Sequence, residues 1–478
     1  MTRNAPLKGI LRHCVLVFCL LFSTINLGSS GLQDRTKVER NRGRVLYEIA
    51  VVRDNLKKDP KDDKARLELA KGLYQAGSFD ESEQVLEPLL KAPKPSEEAM
   101  FLMAELDYLL GDYGNAEARL ARILAANPKD EDIRTKAGTK LAFAYYQTNQ
   151  YARAQGLYKG LEDRINLPHW DLMKAFGQER PYQQTWPAGL EKTEIPFLIG
   201  DPLPVLPVEV QGRQVIVFID TGADMFVLDP EAAAALGIKP LVSMTGTFAG
   251  GLKAEVGLGK AESIKIGEVT LSSVPVSLLP TMRFSEGLTG GKYSIGGIIG
   301  TGFLRQFLPT IDYPGGKLVL RPATDAGRAG FRAELRRMMV VEVPFVLAST
   351  HFMIARGSLN ERENLSFFVD SGLASDAAFA ATNQTLEYAN IALPETKVEK
   401  GNIGGGGGAG FATGRFSVKE LGLGPLLQKN LQGAFGVLPA QTYWGQGFIL
   451  DGLISHQFLR KYSWTIDSAG MKMVFVTK

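Results

Sequence analysis

The sequence predicts a multidomain chain in which an all-α helical repeat is followed by an all-β region made of two similar lobes. Three observations carry this prediction. Of the 478 residues, 52 are glycine and most of these follow residue 200, whereas helix-favouring residues dominate before residue 165. A short motif occurs three times in the first part, and a longer set of motifs occurs twice in the second. The length allows two or three domains, each with its own core.

Residues 1–30 have the pattern of an export signal. A basic segment is followed by the apolar stretch Cys14–Phe22 and then by small residues at 28–30. The apolar stretch is short for a membrane span. We therefore expect an exported protein, periplasmic or secreted, without stable membrane insertion unless the signal remains uncleaved. Both cysteines, Cys14 and Cys19, lie in this segment, so the mature chain would contain no thiol and no disulfide.

Charge and histidine placement argue against several classes of function. The formal net charge is +3 with 22% charged residues, which provides no strong field for nucleic acid. The four histidines show no metal-ligand spacing, and the glycine run at 404–408 is not followed by the Lys-Ser/Thr of a phosphate-binding loop. We therefore expect no metal, no cofactor and no nucleic-acid partner.

Residues 31–162 contain a helical motif that recurs. The segment Gln75–Ser82 recurs as Leu109–Ala116 and again, after a slightly longer interval, as Gln147–Ala154. Each copy has a turn residue, an aromatic residue and a small residue three positions after the aromatic one. These copies resemble tetratricopeptide repeats, which implies a concave surface that binds a protein partner or peptide. The alternative is that the helices only cover or position the following domain, and both interpretations stay open.

Residues 163–199 are predicted to connect the two regions. The segment is rich in proline and aromatic residues, and it carries Trp170 and Trp186. Since disordered linkers have few aromatic residues, we expect this connector to pack against the rest of the chain.

Two apolar strands each end in a carboxylate motif. Val215–Ile219 is followed by Asp220-Thr221-Gly222-Ala223, and 150 positions later Leu365–Val369 is followed by Asp370-Ser371-Gly372. A carboxylate, a hydroxyl residue and a glycine at the end of a buried strand are uncommon once. Their second occurrence suggests two halves that bring two carboxylates together.

A second pattern follows each motif at a similar distance. Residues 298–319 and 453–474 align at an offset of 155 without a gap, and both contain Phe-Leu-Arg and Thr-Ile-Asp. This offset is close to the offset of 150 between the two carboxylate motifs, so each half has its parts in the same order at nearly the same spacing. The chain therefore contains a duplicated lobe, predicted at 200–325 and at 326–478.

This arrangement resembles the aspartic proteases of the pepsin and retropepsin type. The resemblance covers roughly residues 200 to 478 and implies two six-stranded β-lobes, related by a pseudo-twofold axis, with a cleft between them. Asp220 and Asp370 would be the catalytic residues. Because two carboxylates about 3 Å apart cannot both ionise, they would share one proton and activate one water molecule.

The residues after each aspartate would support the pair. Gly222 and Gly372 have no side chain that would keep the two loops apart. Thr221 and Ser371 can hydrogen-bond across the pseudo-twofold axis to the opposing backbone. In the resemblance, a glycine-rich hairpin of each lobe lies near the cleft, at Thr245–Gly251 and Asn402–Gly414.

The first of these hairpins would close over substrate as a flap. Its tip would carry Phe248 with Gly250 and Gly251. Three positions depart from the family pattern. Leu373 follows the second motif, Ser455 stands where the first lobe has Gly300, and the first flap tip has Phe248 but no tyrosine.

The predicted function is an exported aspartic endopeptidase that cleaves a peptide or protein substrate, with helical repeats for docking. The alternative is a catalytically weak or inactive protease-like protein that binds peptides as an adaptor in the cell envelope. Leu373 and Ser455 favour the alternative.

Overall fold

The computed structural model describes residues 41–126, 130–157, 167–398 and 411–477. The export signal predicted for residues 1–30 lies outside these ranges. Within them, no helix is both long enough and apolar enough to cross a membrane. The described chain is helical as far as Phe176 and rich in β-strands after it, which confirms the predicted fold class.

We call the described residues 42–126, 130–157 and 167–176 the helical module. The side chains of Asp62, Ser96 and Asp112 accept backbone N–H bonds at the starts of three of its helices, which stabilises these N-termini. Within the described residues its α-helices are α1 Arg42–Lys58, α2 Asp63–Gln75, α3 Phe79–Leu90, α4 Glu97–Leu109, α5 Tyr113–Ala125, α6 Glu131–Gln147, α7 Tyr151–Ala154 and α8 Pro168–Phe176.

The turn of each repeated motif lies at the end of a helix. Gly77, Gly111 and Asn149 follow α2, α4 and α6 with φ angles of 75°, 81° and 57°. Glycine and asparagine adopt this left-handed conformation most readily. The turn lets α3 pack on α2 and α5 on α4. The repeated motif therefore specifies a turn between two packed helices.

The rest of the described chain contains twenty-one strands and six further α-helices. The strands are β1 Gln183–Thr185, β2 Thr193–Pro196, β3 Val205–Val210, β4 Arg213–Ile219, β5 Phe226–Leu228, β6 Pro240–Thr247, β7 Lys253–Ile266, β8 Val269–Leu278, β9 Ile295–Ile299, β10 Phe307–Asp312, β11 Lys317–Pro322, β12 Met339–Ala348, β13 Phe352–Leu359, β14 Arg362–Val369, β15 Phe379–Ala381, β16 Lys397–Val398, β17 Ala412–Leu423, β18 Leu426–Phe435, β19 Gly452–Ile454, β20 Ser463–Asp467 and β21 Lys472–Thr477. The helices are α9 Pro230–Ala235, α10 Ser285–Thr289, α11 Thr301–Leu304, α12 Asp325–Leu335, α13 Asn383–Tyr388 and α14 His456–Leu459.

The strands form two sheets that differ from the two six-stranded lobes implied by the resemblance. The first sheet has the order β1-β8-β5-β9-β4-β3-β7-β6, and we call it the first lobe. The second has the order β16-β17-β18-β15-β19-β14-β13-β12-β21-β20-β10-β11-β2. We call β13–β19 the second lobe and the remaining strands of this sheet the interlobe strands. Strands β10, β11 and β2, which come from the first half of the chain, are thus hydrogen-bonded into the same sheet as the second lobe.

The duplicated Thr-Ile-Asp segments pair with each other between the lobes. Strand β10 is antiparallel to β20, with Thr310 opposite Thr465. The two hydroxyl oxygens of this pair lie 2.6 Å apart in the buried interior. Asp312 and Asp467 each accept a backbone N–H at 3.0 Å in the turn before the following strand. These two carboxylates stabilise turns.

The two lobes repeat the same strand pairings around their carboxylate motifs. Strand β4 runs parallel to β9, with Phe218 opposite Ile298, and β14 runs parallel to β19, with Phe368 opposite Leu453. In each lobe a third short strand, β5 or β15, lies antiparallel on the other side of this neighbour. The equivalent register places the residue after β4 and the residue after β14 at matching points of the fold.

The segment predicted as a connector, 163–199, contains regular structure in its described part. It includes α8, whose Trp170 is fully buried, then β1, which pairs with β8, and β2, which pairs with β11. The alternating burial of β2, with Thr193 and Ile195 inside, explains why it extends a sheet. The segment therefore packs on both the helical module and the β-region.

The helical module shares its apolar core with the β-region. One buried cluster unites Tyr108 and Phe143 of the helices with Phe218 and Ile298 of the first lobe. Another unites residues of α2–α4 with strands and loops of the second lobe. Because burying apolar surface is the main stabilising force, the helices and the lobes stabilise each other.

Candidate active site

Asp220 and Asp370 stand at equivalent places in the two lobes. Asp220 follows β4 and donates its backbone N–H to Ile299 O at 3.0 Å, and Asp370 follows β14 and donates to Ile454 O at 2.9 Å. Neither residue has any exposed surface. Each aspartate thus lies just beyond the end of its strand, next to the last residue of the parallel neighbouring strand.

The two motif glycines lie directly against the opposite carboxylates. A Cβ atom added to Gly372 would stand 2.0 Å from Cγ of Asp220, and one added to Gly222 would stand 2.5 Å from Oδ2 of Asp370. Real Cβ contacts are longer than 3.0 Å, so only glycine fits at either position. The structure therefore brings the two motifs together across the lobe boundary.

Reciprocal hydrogen bonds connect the two loops. The backbone N–H of Thr221 donates to Oγ of Ser371 at 3.0 Å, and the N–H of Ser371 donates to Oγ1 of Thr221 at 2.9 Å. The Thr221 hydroxyl in turn donates to Val369 O at 2.9 Å. All three groups are buried, where hydrogen bonds between well-aligned partners are strong and rigid. The distance between the two aspartates is thus set by both lobes.

The environment of the pair favours one shared proton. The N–H groups of Gly222 and Gly372 donate to Oδ1 of Asp220 and of Asp370, each at 2.7 Å. Burial raises the pKa of Asp370 to about 6, although hydrogen bonds from Gly372 N–H, from the Asp220 carboxyl and from Leu373 N–H act to lower it. Burial therefore favours retention of a proton on the pair at mildly acidic pH.

The two departures in the second lobe leave these contacts intact. Leu373 is fully buried in the cluster of α2–α4 and the second lobe. Oγ of Ser455 donates to Ala377 O at 2.5 Å. In the first lobe there is no such room, since a Cβ on Gly300 would stand 2.3 Å from Met225 O. Each residue therefore fits its own lobe.

The predicted flap is a hairpin between β6 and β7 with its tip at residues 248–252. Gly250 and Gly251 have φ angles of 69° and 76°, so the tip needs glycine. The N–H of Gly250 donates to Val437 O of the second lobe at 2.9 Å. Phe248 is fully buried in the cluster that includes α4 and α6. The hairpin tip therefore packs against both the helical module and the second lobe. Residues 402–410 of the second predicted hairpin lie outside the described residues.

We call Asp220 and Asp370 the dyad. A buried carboxylate four residues after Asp220 is absent from the predicted site residues. Oδ2 of Asp224 lies 2.7 Å from Nε2 of His169 and 3.4 Å from the hydroxyl of Tyr146, both of which belong to the helical module. Burial would raise the pKa of Asp224, but the hydrogen bond and charge of His169 outweigh it, so the pKa is lowered. The one available signal is a second aspartate four positions after Asp220.

The second lobe also meets the helical module close to Asp224. Nε2 of Gln147 donates to the carbonyls of Ser349 and Thr350 at 3.1 and 2.9 Å. Next to them, burial lowers the pKa of His351 to about 4, so its ring is neutral near pH 7. The helical module, the first lobe and the second lobe therefore meet at this point.

The site contains acid-base groups and an enclosing loop. Among the described residues, no group of three or more His, Cys, Asp or Glu is placed to hold a metal ion. Two close, buried carboxylates with unequal protonation can activate a water molecule and protonate a carbonyl oxygen. The arrangement therefore suits general acid-base hydrolysis.

Comparison with known proteins gives a family match for part of the first half of the chain. Residues 206–303 match the family described as aspartyl protease, a span that runs from β3 into α11 and includes Asp220. The chain is similar to the crystal structure of a retropepsin-like aspartic protease from Rickettsia conorii, with 15% identity, a TM-score of 0.20 and coverage of 29% of this chain and 91% of that chain. No curated protein matches. The family match confirms the resemblance to aspartic proteases.

Proposed function

We propose that this chain is an aspartic endopeptidase that hydrolyses peptide bonds with Asp220 and Asp370 as a shared-proton pair. The observation that carries the proposal is the reciprocal contact of the two motifs, in which Gly222 and Gly372 each lie against the opposite carboxylate. Two carboxylates in such proximity cannot both be ionised. The family match to residues 206–303 supports the same chemistry for the first lobe.

The reaction would use the two carboxyl groups in turn. The ionised carboxylate takes a proton from water as the water oxygen bonds to the peptide carbonyl carbon, and the protonated carboxyl donates its proton to the carbonyl oxygen. When the tetrahedral intermediate collapses, the C–N bond breaks and the nitrogen takes the proton that the pair had accepted from water. The hydroxyl returns its proton to the pair, which again holds one proton. These steps need only the chain's own residues and water.

The helical module is proposed to cover the site rather than to offer an open groove to a partner. Its helices share two apolar clusters with the lobes, so much of the surface that a docked peptide would use is already buried. A protein partner would then bind to the outer faces of the helices. Pull-down of partners by the helical module, with the lobes attached and intact, tests this part.

Export remains a proposal that rests on residues 1–30. Fractionation of cells expressing the full chain, followed by determination of the N-terminus of the recovered protein, tests it. A protein that starts near residue 30 in the periplasmic or secreted fraction is expected. An intact N-terminus in the cytoplasmic fraction would contradict it.

A second candidate function is a protein that holds peptides without cutting them. The complete burial of Asp220 and Asp370 favours it. Such a protein would bind a statine-containing peptide, which mimics the tetrahedral intermediate, yet would leave peptides intact between pH 3 and pH 8.

Substitution of each aspartate distinguishes these two functions. Asp220→Asn and Asp370→Asn each remove half of the proton relay and should reduce cleavage of a fluorogenic peptide mixture to background. Asp312→Asn is the matched control, because an asparagine oxygen can still accept the N–H in that turn. Cleavage by the wild type and the control, with loss in both site variants, supports the peptidase. Full activity in either site variant would contradict it.

A further inference from the structure

We propose that the helical module is the lid of the cleft, so that substrate reaches Asp220 and Asp370 only when the helices separate from the flap. This inference rests on the proposed function and adds its regulation. In it, the closed chain is a latent peptidase, and movement of the helices controls access.

The outer side of the flap is covered by helices. Phe248 at the tip has no exposed surface and belongs to one buried cluster with Met100 and Tyr108 of α4 and Phe143 of α6. The strands of the flap, β6 and β7, pack against α8. Because these helices pack on the tip and on the strands of the hairpin, the flap cannot leave its position unless the helical module moves.

The inner side of the flap tip is fixed to the second lobe. Gly250 donates its N–H to Val437 O, and its α-carbon faces Phe411, whose Cγ would be 2.6 Å from an added Cβ. Ala249 has no exposed surface and shares a cluster with Val437 and with α2–α4. The tip is thus held between the second lobe and the helices, which closes the cleft above the dyad.

Polar contacts hold the helices to the loops around the dyad. His169 of α8 binds Asp224, four residues from Asp220, and Gln147 of α6 donates to two carbonyls of the second lobe. Arg305, at the end of α11 in the first half, donates to the carbonyl of Gln147. Such directional contacts can be broken and remade without unfolding either part. They are therefore suited to a lid that opens.

Loosening these contacts should expose the cleft. Gln147→Ala removes two hydrogen bonds to the second lobe, and His169→Ala removes the closest partner of Asp224. Loss of about two hydrogen bonds should raise the fraction of molecules in which the helices have separated from the flap roughly tenfold. Arg153→Ala is the matched control, because Arg153 bonds Glu117 and Gln150 within the helical module alone.

The test uses the full chain and two measurements. Amide hydrogen exchange at residues 246–252 reports flap opening, and the association rate of a statine-containing peptide reports access to the dyad. Both should rise roughly tenfold in Gln147→Ala and His169→Ala, and neither should change in Arg153→Ala. Gln147→Ala alone suffices if His169→Ala does not fold.

Two results would overturn the lid. One is flap exchange in Gln147→Ala equal to that of the wild type. The other is faster exchange with an unchanged association rate of the statine peptide. Failure of the proposed function looks different: flap exchange would rise as expected, but no variant would bind the statine peptide or cleave substrate.

Discussion

Gly372→Ala tests the close approach of the two motifs. The added Cβ would stand 2.0 Å from Cγ of Asp220, whereas ordinary contact begins at 3.4 Å. The carboxylate and the loop must therefore separate by more than an ångström at this point, in a region held by the Thr221 and Ser371 hydrogen bonds. Misplacement of reacting groups by about 1 Å lowers the rate by about 10²-fold. Overpacking in a rigid interior also costs about 1–3 kcal/mol of stability.

The assay compares kcat/KM for a fluorogenic peptide among three alanine variants, with thermal melts to follow stability. The kcat/KM of Gly372→Ala should be lower than that of the wild type by about 10²-fold or more. Gly222→Ala should lose less, since its Cβ would stand 2.5 Å from Oδ2 of Asp370. Gly330→Ala is the control, because nothing lies within 4 Å of its added Cβ. Retention by Gly372→Ala of more than half of the wild-type kcat/KM would refute the reasoning.

Three further predictions concern protonation and the buried contacts. Because burial raises the pKa of Asp370 from 3.8 to about 6, its ionisation opposes folding as pH rises through that window. Asp370→Asn should therefore gain stability relative to the wild type as pH rises from 3.5 to 7 in urea titrations, and a difference in unfolding free energy that is the same at both pH values would contradict this. Thr221→Val leaves the N–H of Ser371 without its acceptor and should lower the free energy of unfolding by about 1–3 kcal/mol. Thr221→Ser keeps a hydroxyl and should lower it less. Equal urea midpoints for the two variants would exclude a role for the hydroxyl. Arg42→Ala removes the ion-pair partner of the buried Asp451 carboxylate and should lower the free energy of unfolding by about 3–5 kcal/mol. Arg42→Lys should lower it less. A loss below about 1 kcal/mol in Arg42→Ala would show that the pair is not fully buried in solution.

The architecture could be predicted where the sequence repeats itself. The offset between residues 298–319 and 453–474 indicated equivalent lobes, and the repeated turn at Gly77 and Gly111 indicated paired helices. The sharing of strands between the lobes could not be predicted in the same way. Strands β10 and β20 pair although they belong to different halves of the chain, and no local pattern specifies which strand a sheet edge will pair with.

The candidate site also has a part that local sequence predicts and a part that it does not. The two motifs sufficed to name Asp220 and Asp370 and the glycines that the structure places against them, because strand ends and close approach follow from local sequence. The contact between Asp224 and His169 could not be predicted. His169 lies in a segment without a repeat, and its partner belongs to another part of the fold.

The central claim is that Asp220 and Asp370 form one site, and a calorimetric titration of the full chain with a statine-containing peptide tests it most directly. If Asp220 and Asp370 of one chain form a single site, one peptide binds per chain, and Asp220→Asn and Asp370→Asn each abolish binding. One peptide per two chains would mean that two copies build the site together. Binding that survives both substitutions would show that these carboxylates do not form it.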